Sequence, residues 1–256
     1  MTSSNGSFVW YELISGDRVA EEDFYAKLIG WTMADSGMTE MCYTLAKVGE
    51  RPVAGLMDFP PDMPPDPRPA WLGYVHVEDV DAMAARVKQS GGAIYREPAD
   101  IPGVGRFAVA ADPEGAVFML FHGDGPAPED LAPNTPGRPS WHELHAKDWE
   151  KSFAFYSGLF GWEKAEAYEM GPQGSYQLFS TGGLSIGGMM NNPDAPAPFW
   201  LYYFNVEDID AASRRLTDNG GKIMNGPMVV PGDMWIIVAF DPQGAIFGMV
   251  GPRAAA

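Results

Sequence analysis

Residues 141–145 read Trp-His-Glu-Leu-His, which puts two of the chain's four histidines and a glutamate within five positions. Such a group has three readings. Imidazole and carboxylate together can ligate a divalent metal. They can pass a proton near neutral pH. Or they are the polar positions of an ordinary strand. Strand alternation sorts the five residues. Trp141, Glu143 and His145 share one face, and His142 and Leu144 the other. Glu143 and His145, two positions apart, are expected to run parallel rather than aim at one point. His142 is expected to pack under a helix or cap one.

The elements that carry this stretch are written twice. Trp10, Glu12, Tyr25 and Trp31 recur as Trp141, Glu143, Tyr156 and Trp162, each pair 131 positions apart. "WLGYVHVEDVDA" at 71–82 returns as "WLYYFNVEDIDA" at 200–211, and "DPEGAVF" at 112–118 as "DPQGAIF" at 241–247. A Pro/Gly-rich stretch without periodicity separates the copies and reads as a semi-stiff connection. We therefore expect a domain over 1–125, a Pro-rich linker over 126–136, and a second domain over 137–256. Within each copy a strand precedes a helix, and short strands follow. In the second copy, Trp149, Phe153, Tyr156 and Phe160 fall on one helical face behind Asp148, a residue suited to an N-cap. The same strand–helix–strands order then repeats, giving four such units in all.

Composition narrows the partners. The formal net charge is −17, with no Lys/Arg cluster, so a nucleic-acid backbone would be repelled. Cys42 is the only cysteine, which excludes an internal disulfide and a thiolate metal cluster. There is no basic start followed by an apolar run, and no apolar stretch of membrane-spanning length. We expect a cytoplasmic protein, a monomer or homodimer, with a small-molecule ligand and neither nucleic acid nor membrane as partner.

The "FY..L(I/F)GW" helix end at 24–31 and 155–162, the "VED(V/I)DA" entry to a second helix, the "GG" that closes it and the "DP(E/Q)GA.F" hairpin come in the same order in both halves. In this the chain resembles the vicinal oxygen chelate superfamily, which includes glyoxalases, bleomycin-resistance proteins and extradiol dioxygenases. The resemblance implies an α+β fold of four βαβββ modules, paired into two glyoxalase-like domains with cup-shaped mixed sheets. It also implies metal ligands on the first and last strands of the modules. Those places fall on Trp10, Trp141, Leu72, Leu201, Met119 and Gly248, with Gly55 and Gly188 near the last strands of the first modules. None of these side chains is a ligand for a hard or borderline divalent ion. We therefore expect no metal and no other cofactor.

In that fold the inward positions would be Trp10 and Glu12 in one cup and Trp141, Glu143 and His145 in the other. The second modules would add Leu72, Tyr74, His76 and Met119, and Leu201, Tyr203 and Asn205. Apolar walls with few polar groups are usual for a small-molecule pocket. Catalytic candidates are Glu143, His145, Glu12, Tyr203 and Tyr74, with a tyrosine stabilising developing negative charge on oxygen. Ligand-binding candidates are Trp10, Trp141, His76, Leu72, Leu201, Asn205 and Met119. Several functions stay open at this point. One is metal-independent proton transfer of the isomerase, cyclase or lyase type. Another is sequestration of a planar ligand without turnover. A metal held by Glu143 and His145 with outside help, and cups collapsed into pure structure, are the remaining two.

Overall fold

The computed structural model describes residues 5–254, apart from 40, 64, 126–130 and 172–173. The first half runs β1 (Phe8–Ser15), α1 (Arg18–Ile29), β2 (Thr32–Asp35), β3 (Tyr43–Val48), β4 (Arg51–Asp58), β5 (Ala70–His76), α2 (Val80–Gln89), β6 (Ala93–Ile101), β7 (Gly105–Ala111) and β8 (Val117–Gly123). The second half runs β9 (Pro139–Ala146), α3 (Trp149–Phe160), β10 (Glu163–Glu169), β11 (Ser175–Thr181), β12 (Leu184–Asn191), β13 (Phe199–Asn205), α4 (Ile209–Asp218), β14 (Lys222–Val230), β15 (Met234–Phe240) and β16 (Ile246–Gly251). That is βαβββ four times, as the internal duplication implied. Of the expected linker, 126–130 lies outside the described residues, and 131–136 carries neither helix nor strand.

Each half makes one eight-stranded mixed sheet. The orders are β2-β3-β4-β1-β5-β8-β7-β6 and β10-β11-β12-β9-β13-β16-β15-β14. The first and last strands of each module run parallel, so β1 pairs with β4 and β9 with β12. The helix between them supplies the crossover that a parallel pair requires.

The helices are short, 10 to 12 residues, and their ends are defined by side chains. Asp17, Asp79, Asp148 and Asp208 cap the N-termini, each accepting from a backbone N–H of the first turn. Gly30 and Gly161 end α1 and α3 in the left-handed region, at φ 88° and 71°. That turn sends the following tryptophans, Trp31 and Trp162, into the core at 3% and 1% exposure.

By packing, the chain forms two compact units. One comprises Met1–Val9, Leu72–Asp130 and Trp141–Leu201; the other comprises Trp10–Trp71, Leu131–Ser140 and Tyr202–Ala256. Each unit thus takes a module from each half of the sequence. The two are built alike. In the first, Trp200 donates to the Tyr156 hydroxyl, which donates to Asp112. In the second, Trp71 donates to Tyr25, which donates to Asp241. The other oxygen of each aspartate collects the backbone N–H groups of its own Asp-Pro-x-Gly turn. The repeated "DP(E/Q)GA" is therefore structural, because its buried carboxylate ties a hairpin to a helix. Arginines complete the pattern. Arg86 of α2 donates to the Gly158 carbonyl in α3, and Arg215 of α4 donates to the Leu28 carbonyl in α1.

Among the described residues, no helix is long and apolar enough to cross a membrane.

Candidate functional site

The middle of β9 carries the cluster that alternation predicts. Trp141 Nε1 donates to the Tyr176 hydroxyl at 2.8 Å, and that hydroxyl donates to Glu143 Oε2 at 2.8 Å. The direction is forced. An indole N–H only donates, so it occupies a phenol lone pair and turns the phenol hydrogen toward the carboxylate. The first half repeats the relay in β1. Trp10 Nε1 donates to Tyr43, and Tyr43 to Glu12 Oε2, both at 2.9 Å. Glu12 and Glu143 are 7% and 8% exposed, as buried as core residues. Burial, with the neighbouring glutamate charge second, pushes the Tyr43 and Tyr176 pKa values well above the usual phenol range, against the lowering effect of each indole donor. Both phenols therefore remain protonated donors.

Sheet register explains how a tyrosine two strands away reaches the glutamate. Gly188 sits opposite Glu143 across β9 and β12, and opposite Leu178 across β11 and β12. Tyr176 precedes Leu178 by two residues on the same face, and its ring lies diagonally over Gly188. A Cβ at Gly188 would collide with that ring. The first half is the same, with Gly55 opposite Glu12 and beneath Tyr43. The glycines at the expected last-strand ligand places are thus floors for tyrosine rings.

The second half has more. His145 Nε2 lies 2.8 Å from Glu143 Oε1. The contact is close but off the line of a hydrogen bond, and the buried Nε2 has no other partner. The expectation that the two side chains run parallel is therefore corrected. Strand twist and the length of glutamate bring its carboxylate against the ring. The imidazole stacks on Phe199, with centroids 4.6 Å apart and planes at 9°. Its Nδ1 meets Asn192 Nδ2 at 3.1 Å. His142 turns to the other face, where it stacks on Phe8 and its Nδ1 faces the Ile186 carbonyl.

The remaining candidates have varied surroundings. Tyr203 is buried with its ring over Gly248. Tyr74 is buried and edge-on to Phe121. Leu201 and Met119 are buried, and Leu72 is half-buried. His76 stacks on His122 at 5.6 Å, with Nε2 3.9 Å from Glu78 Oε1. Burial lowers the His76 pKa, with Glu78 opposing and His122 adding. Asn205 is spent on the connection between the halves. Its amide donates to the Pro133 and Thr135 carbonyls and its oxygen accepts from Ser140. That occupies the groups a ligand would need.

The residues at the family's ligand places do not fit a metal. The two indoles are donors already committed to tyrosines, the glycines offer no side chain, and leucine and methionine are no substitute. Among the described residues, no three His, Cys, Asp or Glu come together to hold an ion. The reading of a metal held by Glu143 and His145 therefore lacks a third ligand among those residues.

A sequence profile of the Glyoxalase/Bleomycin resistance protein/Dioxygenase superfamily matches residues 7–120 and again 139–248. The chain is 30% identical over 246 residues to the CFP32 protein of Mycobacterium tuberculosis, which carries a provisional glyoxylase name; the match covers 95% of this chain and 94% of that one. It is 31% identical over 264 residues to the anthracycline biosynthesis protein DauV of Streptomyces sp. (strain C5), covering 98% and 94%. The Mn(II)-bound glyoxalase of Novosphingobium aromaticivorans superposes with a TM-score of 0.67 at 18% identity, over 99% of this chain and 84% of that one. That last likeness is one of fold.

Proposed function

The chain belongs to the Glyoxalase/Bleomycin resistance protein/Dioxygenase superfamily, and from that premise we propose that it binds a small planar carbonyl compound against its Trp–Tyr–Glu relays. We further propose that Glu143 moves a proton on that compound without a metal. The observation that carries this reading is the repeated relay. A nearly buried carboxylate has one oxygen fixed by a protonated phenol and stands beside an indole able to stack on an aromatic ring. The likeness to DauV supports a polycyclic aromatic ketone as ligand class.

The proposed step is balanced without a co-reactant. Glu143 takes a proton from the carbon next to the carbonyl, and the C–H electron pair becomes the C=C bond of an enolate. The same carboxyl group then returns the proton to that carbon or to a conjugated one. A direct test uses 2-tetralone, an aromatic ketone with acidic α-protons, in D₂O. Wild-type protein is expected to speed deuterium uptake above the buffer rate, and Glu143→Gln to lose about 100-fold of that rate, the usual contribution of a positioned base. Tight binding of the ketone with no exchange would instead support sequestration, which the Trp–Tyr platform alone can perform.

A further inference from the structure

The two relays match residue for residue, but the positions beside them do not. His145 corresponds to Ile14, each two residues beyond its glutamate. Asn192 corresponds to Phe59, because the Asn192 N–H donates to the Ala146 carbonyl as the Phe59 N–H donates to that of Ser15. The neighbouring helix entries agree. Asn191 Oδ1 accepts from the Trp149 N–H where Asp58 Oδ1 accepts from the Arg18 N–H. One half thus carries a polar pair, His145–Asn192, where the other carries an apolar pair, Ile14–Phe59. The fold is complete with either, so the polar pair serves something other than folding.

We propose that Asn192 and His145 are positioning residues for Glu143, and that they make the second half the reacting one. This rests on the reading of Glu143 as a base. Asn192 Nδ2 donates to His145 Nδ1. That lone pair is then an acceptor, so the neutral ring carries its proton on Nε2. Nε2 faces Glu143 Oε1 at 2.8 Å. The Tyr176 hydroxyl holds Oε2. Oε2 is thereby held by a phenol on β11, while Oε1 lies against the ring nitrogen from β9 without an aligned hydrogen bond. The ring itself is clamped by stacking on Phe199. The Nε2 contact is off-line, a looseness common where a bond tightens only with ligand in place. Glu12 has a phenol at Oε2 and an isoleucine where the second half has its histidine.

The tautomer is directly measurable. Full-length protein labelled with ¹⁵N-histidine has four imidazoles to resolve, and His145→Gln identifies the signal of interest. In wild type the neutral His145 ring is expected as the Nε2–H form. Asn192→Leu should give a mixture of tautomers, and Asn192→Asp, which only accepts, should move the proton to Nδ1. His145→Ile with Asn192→Phe copies the other half and so should fold. It keeps Trp141, Tyr176 and Glu143, yet 2-tetralone exchange should fall about tenfold in kcat with KM nearly unchanged, as loss of an orienting partner does. An Nδ1–H tautomer in wild type, a tautomer unmoved by Asn192→Leu, or wild-type exchange in the double variant would overturn the proposal. Wild-type protein that exchanges nothing would sink the reading of Glu143 as a base, and the tautomer spectra would still decide the positioning claim.

Discussion

At the scale of single residues, the relay makes its middle member the costly one to lose. Tyr176→Phe leaves the Trp141 N–H and Glu143 Oε2 without the phenol between them. Trp141→Phe leaves only a phenol lone pair. A hydrogen bond to a buried charged group is worth about 1.5–3 kcal/mol, so Tyr176→Phe should cost about 2 kcal/mol in urea denaturation. The Tyr176→Phe, Trp141→Phe double variant should lose less than the two singles added, by about 1 kcal/mol, because the orphaned indole N–H is then gone. Additive losses would show that the three groups are not one network. Much of this site was legible in the sequence. The period of two placed Trp141, Glu143 and His145 on one face and sent His142 to the other. Tyr43 and Tyr176 were not read as partners, because each reaches its glutamate diagonally across a glycine of an intervening strand. A signal was present. The two tyrosines stand 133 positions apart in strands that follow equivalent helices, with Gly55 and Gly188 also 133 apart. Asn192 offered no such signal, since its counterpart is a phenylalanine.

At the scale of elements, the Asp148 cap, the glycines that end the helices and the βαβββ order followed from local patterns, while the helix-to-hairpin joints did not. Those joints differ between the units in where they keep their acid. Beside Asp112, the turn residue Glu114 has its carboxylate held by the N–H groups of Lys147 and Asp148 and by the Ser152 hydroxyl. Beside Asp241, the turn residue is Gln243, and the acid is moved onto the helix as Glu21. Glu21 is 1% exposed, with neither carboxyl oxygen in a hydrogen bond of good geometry. Burial first, then the charges of Asp241 and Asp17, push its pKa from an ordinary 4.5 up to about 8. Between those values the folded chain holds a proton that the unfolded chain has released. Stability should therefore fall as pH rises from 4.5 to 8, with no further change from this group above that range. Glu21→Gln should match wild type near the lower end and exceed it by on the order of 2 kcal/mol near the upper end. Parallel pH–stability curves for the two proteins would show that Glu21 has another partner when folded.

At the scale of the whole molecule, sequence order and packing order differ. The duplication marks two halves, and each half does own one sheet. The compact units cut across that division, because each takes one module from each half. A linear pattern shows which elements exist but not which copy a buried tryptophan meets. Trp31 donates to the Gly137 carbonyl and Trp162 to the Gly6 carbonyl, and both partners belong to the opposite half of the chain. The helix clasps between Arg86 and Gly158 and between Arg215 and Leu28 also join opposite halves. A fragment of 137–256 would therefore expose Trp162, Tyr156 and the paired face of α3, all nearly dry in the intact chain. Exposing such surface costs roughly 25 cal/mol for each Å² of apolar area, several kcal/mol for these residues together, comparable to a domain's whole stability. Two pieces, 1–130 and 131–256, should each fail to give a cooperative unfolding transition alone. Mixed in equal amounts, they should associate and recover one. The sharper form of the test is the Glu143 site, whose relay residues all lie in the second piece. That piece alone should show little 2-tetralone exchange, and adding the first piece should restore it. A second piece that folds and exchanges at the full rate by itself would show that the sheet, rather than the compact unit, is the unit of folding.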